Sequence, residues 1–232
     1  MNKLQNILNL LSKPLLFAFL LLAIMPLSVK AHPHNWITVK SEFLIDEKGQ
    51  LTTVREYWEF DIYFSMMTIA DVMHESTVQP NSLQLLADDM INNMESYQYF
   101  SSLKISNQTV PLGRPDKYEL IINTIEGQQQ LVLFMDFQLA KPLPLNNQPL
   151  LWQVYDPTYY IDMRHHDTSQ IIITNKRGNE CTTTIDLAEP TQEMAEYAMS
   201  LDRSQTETQG LGKSFAEKII IKCLEPTLNI SM

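Results

Sequence analysis

From Asn35 onward apolar side chains recur at every second position, and that period fixes what the chain can build. In Asn35–Ile45, Ile37, Val39, Phe43 and Ile45 alternate with Thr38, Lys40 and Glu42. This is the pattern of a strand with one buried and one wet face. After a turn around Lys48-Gly49, Val54, Trp58, Phe60, Ile62 and Phe64 share one face of a second strand. Arg55, Glu59 and Asp61 fall on the other face. Two such runs joined by a short glycine turn predict a hairpin.

The period then lengthens. Asn81 is placed to cap a helix in which Leu83, Leu86, Met90, Met94 and Tyr97 recur at helical spacing, with Gln84 in the capping-box position. A shorter helix is expected over Ser65–His74. The methionines of this region follow the helix face, which makes them core filler rather than a copper-binding cluster. Strands resume at about 100–105, 116–124, 130–139, 150–155, 169–174 and 179–186. The strongest is Gln130–Leu139, with Leu131, Leu133, Met135, Phe137 and Leu139 in phase. Asn175–Gly178 has the composition of a hairpin turn. Pro190 opens a short polar helix to about Asp202, Ser204–Gly212 has linker composition, and a final strand covers Phe215–Cys223. About eight or nine strands with one helical insertion predict a mostly β chain, a β-sandwich, because amphipathic sheets must bury their faces against each other. An α+β arrangement is the alternative. The expected domain is single and spans 32–224, with the helical insertion at about 65–98 and a tail at 225–232.

The segment before this domain is of another kind. Lys3 and Lys13 precede the apolar run Leu15–Met25, and Val29-Lys30-Ala31 follows it. A basic start, a short apolar core and small residues before a cut make a secretory signal peptide over residues 1–31. The run falls short of the roughly 20 residues a spanning helix needs. The mature chain is therefore expected in the periplasm with no membrane span. The formal net charge is -10, and the leader removes Lys3, Lys13 and Lys30 but no acid. That balance argues against nucleic acid as a partner, since phosphate binding needs concentrated Lys and Arg. Gly210-Leu-Gly212-Lys213-Ser214 imitates the end of a P-loop, but Glu207 stands where the first glycine is required. Cys181 and Cys223 have no metal-site spacing, and in an oxidising compartment they are expected to pair.

The five histidines are the clearest chemical candidates. A cut after Ala31 makes His32 the first residue, so its amine and imidazole can chelate one metal ion together. His34 adds a second imidazole, and late first-row metals favour nitrogen ligands. The square-planar amino-terminal copper or nickel motif needs the second residue's amide nitrogen, which Pro33 lacks. Two histidines leave a zinc site short of its usual four ligands. Tyr155–Asp167 offers more: Asp156-Pro157 leaves a strand into a turn, where the carboxylate serves either a metal or an Asx turn. His165 and His166 fall on opposite sides of an extended chain, so both cannot easily serve one ion. Asp61, His165 and His166 are thus secondary metal candidates. His74 stands alone on a helix as a surface residue. No Ser/His/Asp or Cys/His set suggests nucleophilic catalysis, and the chain is not read as an enzyme.

Ala31-His-Pro-His-Asn-Trp-Ile37, Glu56-Tyr-Trp-Glu-Phe-Asp61 and Tyr155-Asp-Pro-Thr-Tyr-Tyr160 together resemble the bacterial periplasmic family known as domain of unknown function 1007. The resemblance spans about residues 31–224 and includes a late cysteine like Cys223. Members of that family are often described as periplasmic components of ABC-type transport systems and occur with nickel/cobalt-type permeases. The resemblance implies a metal-handling accessory protein, with His32, His34 and Asp156 as the positions to carry over. The calcium-loop-like insertion of some relatives has no D-x-D-x-D-G counterpart here. The expected function is binding of a divalent metal, zinc first and nickel or cobalt next, for an inner-membrane metal permease. The alternatives are a non-catalytic envelope protein-interaction module acting through the helical insertion and, third, a copper-dependent redox enzyme with an amino-terminal His site.

Overall fold

The computed structural model describes residues 35–76, 81–178, 180–201 and 210–224. β1 (Asn35–Ile45) and β2 (Gln50–Phe60) pair antiparallel as the expected hairpin. At its turn Asp46 Oδ1 accepts the backbone N–H groups of Lys48 and Gln50 at 2.9 and 2.8 Å. Gly49 takes the left-handed φ of 76° that this turn requires. Outside β2 lie β6 (Gln128–Pro144) and then β5 (Lys117–Ile125). On its other side β1 is flanked by two short parallel strands. β8 (Ile161–Arg164) runs along its first half and β9 (Ile171–Asn175) along its second.

The second sheet has the order β10-β11-β7-β3-β4. Its strands are β10 (Cys181–Asp186), β11 (Lys218–Cys223), β7 (Leu150–Val154), β3 (Ser101–Ile105) and β4 (Gln108–Val110). Val39, Phe43, Val54 and Trp58 of the first sheet share one buried cluster with Leu103, Leu150, Trp152 and Ile219 of the second. Phe43 meets the Trp152 ring edge-on, centroids 5.7 Å apart. Each such fully buried side chain contributes about 1.5–3 kcal/mol. The protein is mostly β, two facing sheets with a helical insertion. Cys181 and Cys223 are register partners on β10 and β11 and form a disulfide across a sequence separation of 42. In the chain-entropy picture a loop of that length is worth roughly 3–4 kcal/mol.

The insertion holds α1 (Ile62–Ser76), α2 (Ser82–Met94) and a 3-10 turn, Glu95–Phe100. Here the structure corrects the sequence reading. The second strand stops at Phe60, because Asp61 Oδ1 accepts from the N–H groups of Tyr63 and Phe64 at 2.9 and 3.0 Å. That cap turns Ile62 and Phe64 into the first turn of a helix. The Asn81 side chain makes no capping bond, and Gln84 donates to Asp88 at 2.9 Å instead of closing a capping box. Asn175–Gly178 is not a hairpin turn: β9 pairs with β1 while β10 pairs with β11. The turn carries the chain from one sheet to the other. α3 (Gln192–Ser200) is capped by the Thr191 hydroxyl, which accepts from Met194 N–H at 3.2 Å. Leu211–Phe215 forms a short helix, α4, so the last strand starts at Lys218 rather than Phe215. Strands β4 and β8 are too short to alternate visibly. Among the described residues no helix is long and apolar enough to cross a membrane. The expected leader, the 225–232 tail and most of the expected linker lie outside the described residues.

Candidate functional site

Three sequence blocks meet at the end of the first sheet where β1 begins. Trp36 C=O accepts Asp61 N–H at 3.0 Å, and Trp36 N–H points at Asp61 Oδ2 at 3.4 Å. Asn35 and Trp36 stand in register with Ile161 and Asp162 of β8. Asn35 and Trp36 therefore lie at a corner formed by Asp61 and the 155–162 segment. His32 and His34 lie outside the described residues.

The 155–162 segment is built around Asp156, which is only 4% exposed. Its Oδ1 accepts Thr158 N–H at 2.9 Å and the Thr158 hydroxyl at 2.8 Å. Its Oδ2 accepts the N–H groups of Tyr160 and Ile161 at 2.9 and 3.1 Å. Such a carboxylate organises a turn, and a metal would compete with four donors for it. Gly212 closes over the same turn. Its N–H donates to Pro157 C=O at 3.0 Å, and a Cβ there would lie 1.7 Å from the Asp156 carbonyl oxygen. Only glycine fits, which gives the false P-loop a structural role. Asp61 differs: Oδ1 caps α1, while among the described residues Oδ2 has only the long contact to Trp36 N–H.

Backbone strain gathers beside this corner. Gln98, Tyr99 and Phe100 all have left-handed φ, at 55°, 54° and 56°. Each costs roughly 1–2 kcal/mol for a residue other than glycine, and such outliers cluster at functional sites. Phe100 C=O accepts Tyr155 N–H at 2.8 Å, tying the strained turn to the Asp156 loop. An apolar cavity of about 210 Å³ adjoins it, lined among others by Asn35, Trp58, Phe60, Met90, Phe100 and Ile161.

A second polar group lies inside the sandwich. Trp152 Nε1–H donates to Ser41 Oγ at 3.0 Å, and Ser41 Oγ lies 3.0 Å from His165 Nε2. His165 Nδ1 stands 2.5 Å from Glu217 Oε1, which also accepts His165 N–H at 2.7 Å. One tautomer satisfies every partner: Nδ1–H donates to Glu217, Nε2 accepts the Ser41 hydroxyl, and Ser41 Oγ accepts the indole. The order is that of a Ser-His-acid triad. Ser41, however, is 0% exposed, so no acyl group reaches its oxygen. Glu56, the register partner of Ser41, also points inward. It accepts Trp58 Nε1–H and the Ser101 hydroxyl, each at 2.6 Å. Burial pushes its carboxyl up to about 7, against the pull of those two hydrogen bonds.

The sequence reading missed this interior layer, although a signal was present. Ser41 stands in phase with Val39 and Phe43, and Glu56 in phase with Val54 and Trp58. A polar residue on a strand's apolar face needs a buried partner. Of the secondary candidates, His165 is taken up in this relay. His166 turns the other way, with Nε2 3.4 Å from Thr38 Oγ1. No hydrogen bond links either histidine to Asp61 or Asp156 among the described residues. His74 is exposed on α1. Among the described residues no group of three or more His, Cys, Asp or Glu is arranged to hold a metal.

Residues 17–223 match the sequence profile of a family described as "Protein of unknown function (DUF1007)". An uncharacterized protein of Haemophilus influenzae is 32% identical over 214 residues, which is 89% of this chain and 98% of that protein.

Proposed function

The chain belongs to the DUF1007 family, and on that premise we propose that it is a periplasmic divalent-metal-binding accessory protein serving an inner-membrane metal permease. Zinc is the first expectation, nickel or cobalt the next. The ligands are the amine and imidazole of His32, the imidazole of His34 and the Asp61 carboxylate. Asp156 acts by shaping the loop alongside. The observation that supports this most is the double pinning of Trp36 to Asp61. Two residues span at most about 7 Å, and that short tether from Trp36 supports pairing His34 with Asp61 Oδ2, which among the described residues holds a 3.4 Å contact to Trp36 N–H. Imidazole and carboxylate together suit zinc, with geometry and availability deciding among late metals.

Calorimetric zinc titration of the chain beginning at His32 tests the assignment. One site is expected, and Asp61→Asn should weaken it about tenfold. Asparagine caps helices as well as aspartate does, so the melting temperature should hardly move. Equal uptake by wild type and Asp61→Asn removes Asp61 from the ligand set.

A further inference from the structure

The helical insertion presents a surface unlike the rest of the molecule. Between Arg55 and Lys104 the chain has no Lys or Arg, while Asp61, Asp71, Glu75, Asp88, Asp89 and Glu95 all fall there. On α1, Tyr63, Met66, Met67 and Met73 are 80, 61, 73 and 53% exposed. Their spacing sets them on one stripe of the helix, opposite the buried Ser65, Ile69 and Val72. Between α1 and α2 runs a groove of about 870 Å³ whose lining includes the apolar Val72, Leu85 and Leu86 and the acids Asp71, Glu75 and Asp89. His74 lines the same groove, and among the described residues no Lys or Arg forms a salt bridge with those three carboxylates.

A contiguous exposed apolar stripe is unusual on a folded protein unless something covers it. Methionine supplies adaptable contact to more than one apolar shape, and a cluster of acids with no Lys or Arg in that stretch of the chain selects a cationic partner. We propose that the α1–α2 face binds an amphipathic basic segment of a partner protein, its apolar residues on the methionine stripe and its Lys or Arg over the acids. A second copy of this chain would set the same acids against each other, and an anionic bilayer would be repelled in the same way. The inference is independent of the metal reading, because neither the methionines nor Asp71, Glu75 and Asp89 are ligands in it.

The probe is a short helical peptide of leucine and lysine in amphipathic order, followed by fluorescence anisotropy with the whole mature chain. The triple variant Met66→Ser/Met67→Ser/Met73→Ser should weaken binding about tenfold or more, and so should Asp71→Asn/Glu75→Gln/Asp89→Asn. Glu180→Gln/Glu189→Gln/Glu193→Gln makes the same change of charge at exposed positions away from the insertion and should leave affinity within about twofold. All the altered side chains are solvent-facing, so melting curves of each variant confirm that folding is retained. Equal loss in the control variant would reduce the effect to general attraction by an acidic protein. Unchanged binding in the methionine variant overturns the proposal. So does a wild-type chain that self-associates, or that binds phosphatidylcholine vesicles, through the methionine stripe.

Discussion

β1 positions two groups of polar side chains, and their surroundings leave them free to do different things. In the interior, His165 has both ring nitrogens engaged, by Ser41 and Glu217, and Trp152 caps the chain. At the end of the same strand, Asp61 uses one oxygen to cap α1 and, among the described residues, holds the other against a single 3.4 Å contact. The interior group has the spacing of a catalytic triad but no access. The corner has access and an underused ligand atom. Chemistry needs both, so the more elaborate arrangement is structural and the plainer one is the candidate site.

The largest test of that contrast is His165→Ala. It removes one partner of a buried pair and leaves the Glu217 carboxylate, whose Oε2 has no hydrogen-bond partner among the described residues, with a single backbone donor among them. Such losses cost about 3–5 kcal/mol, to be read from urea unfolding, whereas zinc affinity of the folded fraction should be unchanged. A loss of zinc binding from a chain that remains folded would reverse the two roles.

Glu56 gives the next effect, through pH. Its folded-state carboxyl is pushed up from 4.5 to about 7, so the native state holds a proton that the unfolded chain has released. Stability is therefore highest below the unfolded value and falls as pH rises between 4.5 and about 7. The total is about 3 kcal/mol at roughly 1.4 kcal/mol per pH unit. Glu56→Gln should flatten that slope in unfolding curves taken across this window. A slope unchanged by the substitution places the titration elsewhere.

Asp156→Asn should act more weakly. The amide keeps one acceptor oxygen for the loop but turns the other into a donor facing N–H groups. A cost of about 1–2 kcal/mol follows, with a several-fold loss of zinc affinity as the loop relaxes. A variant as stable as wild type but wholly unable to bind zinc would make Asp156 a ligand after all.

What could be read from the sequence follows from how local each cause is. The alternation is legible in β1 and in β2 up to Phe60 because one face of each is buried along its length, and in β6 because Leu131, Leu133, Met135 and Phe137 are buried. The existence of α2 and the cysteine pair are equally plain, but Tyr97 lies past the helix in the 3-10 turn and is exposed, and Ala87, Ile91 and Met94 are the buried apolar residues of α2. The start of α1 is not plain, because Ile62 and Phe64 continue the strand's phase and only the Asp61 cap breaks it. The passage from β9 to β10 has the turn residues of a hairpin, and nothing local says that the next strand joins the opposite sheet. At the site, the blocks at 56–61 and 155–160 were visible as motifs, but their meeting required β8 to lie parallel to β1. The relay of Ser41, His165 and Glu217 joins residues far apart in the chain. Its only local trace is a serine on an apolar face.

The measurement closest to the central claim is zinc calorimetry on the chain beginning at His32, at neutral pH and again below about pH 6.5, where free imidazole becomes protonated. The account predicts one site at neutral pH, weakened in acid and lost in His32→Ala/His34→Ala, whose melting temperature without metal matches wild type. A double variant that takes up zinc as well as wild type would contradict it.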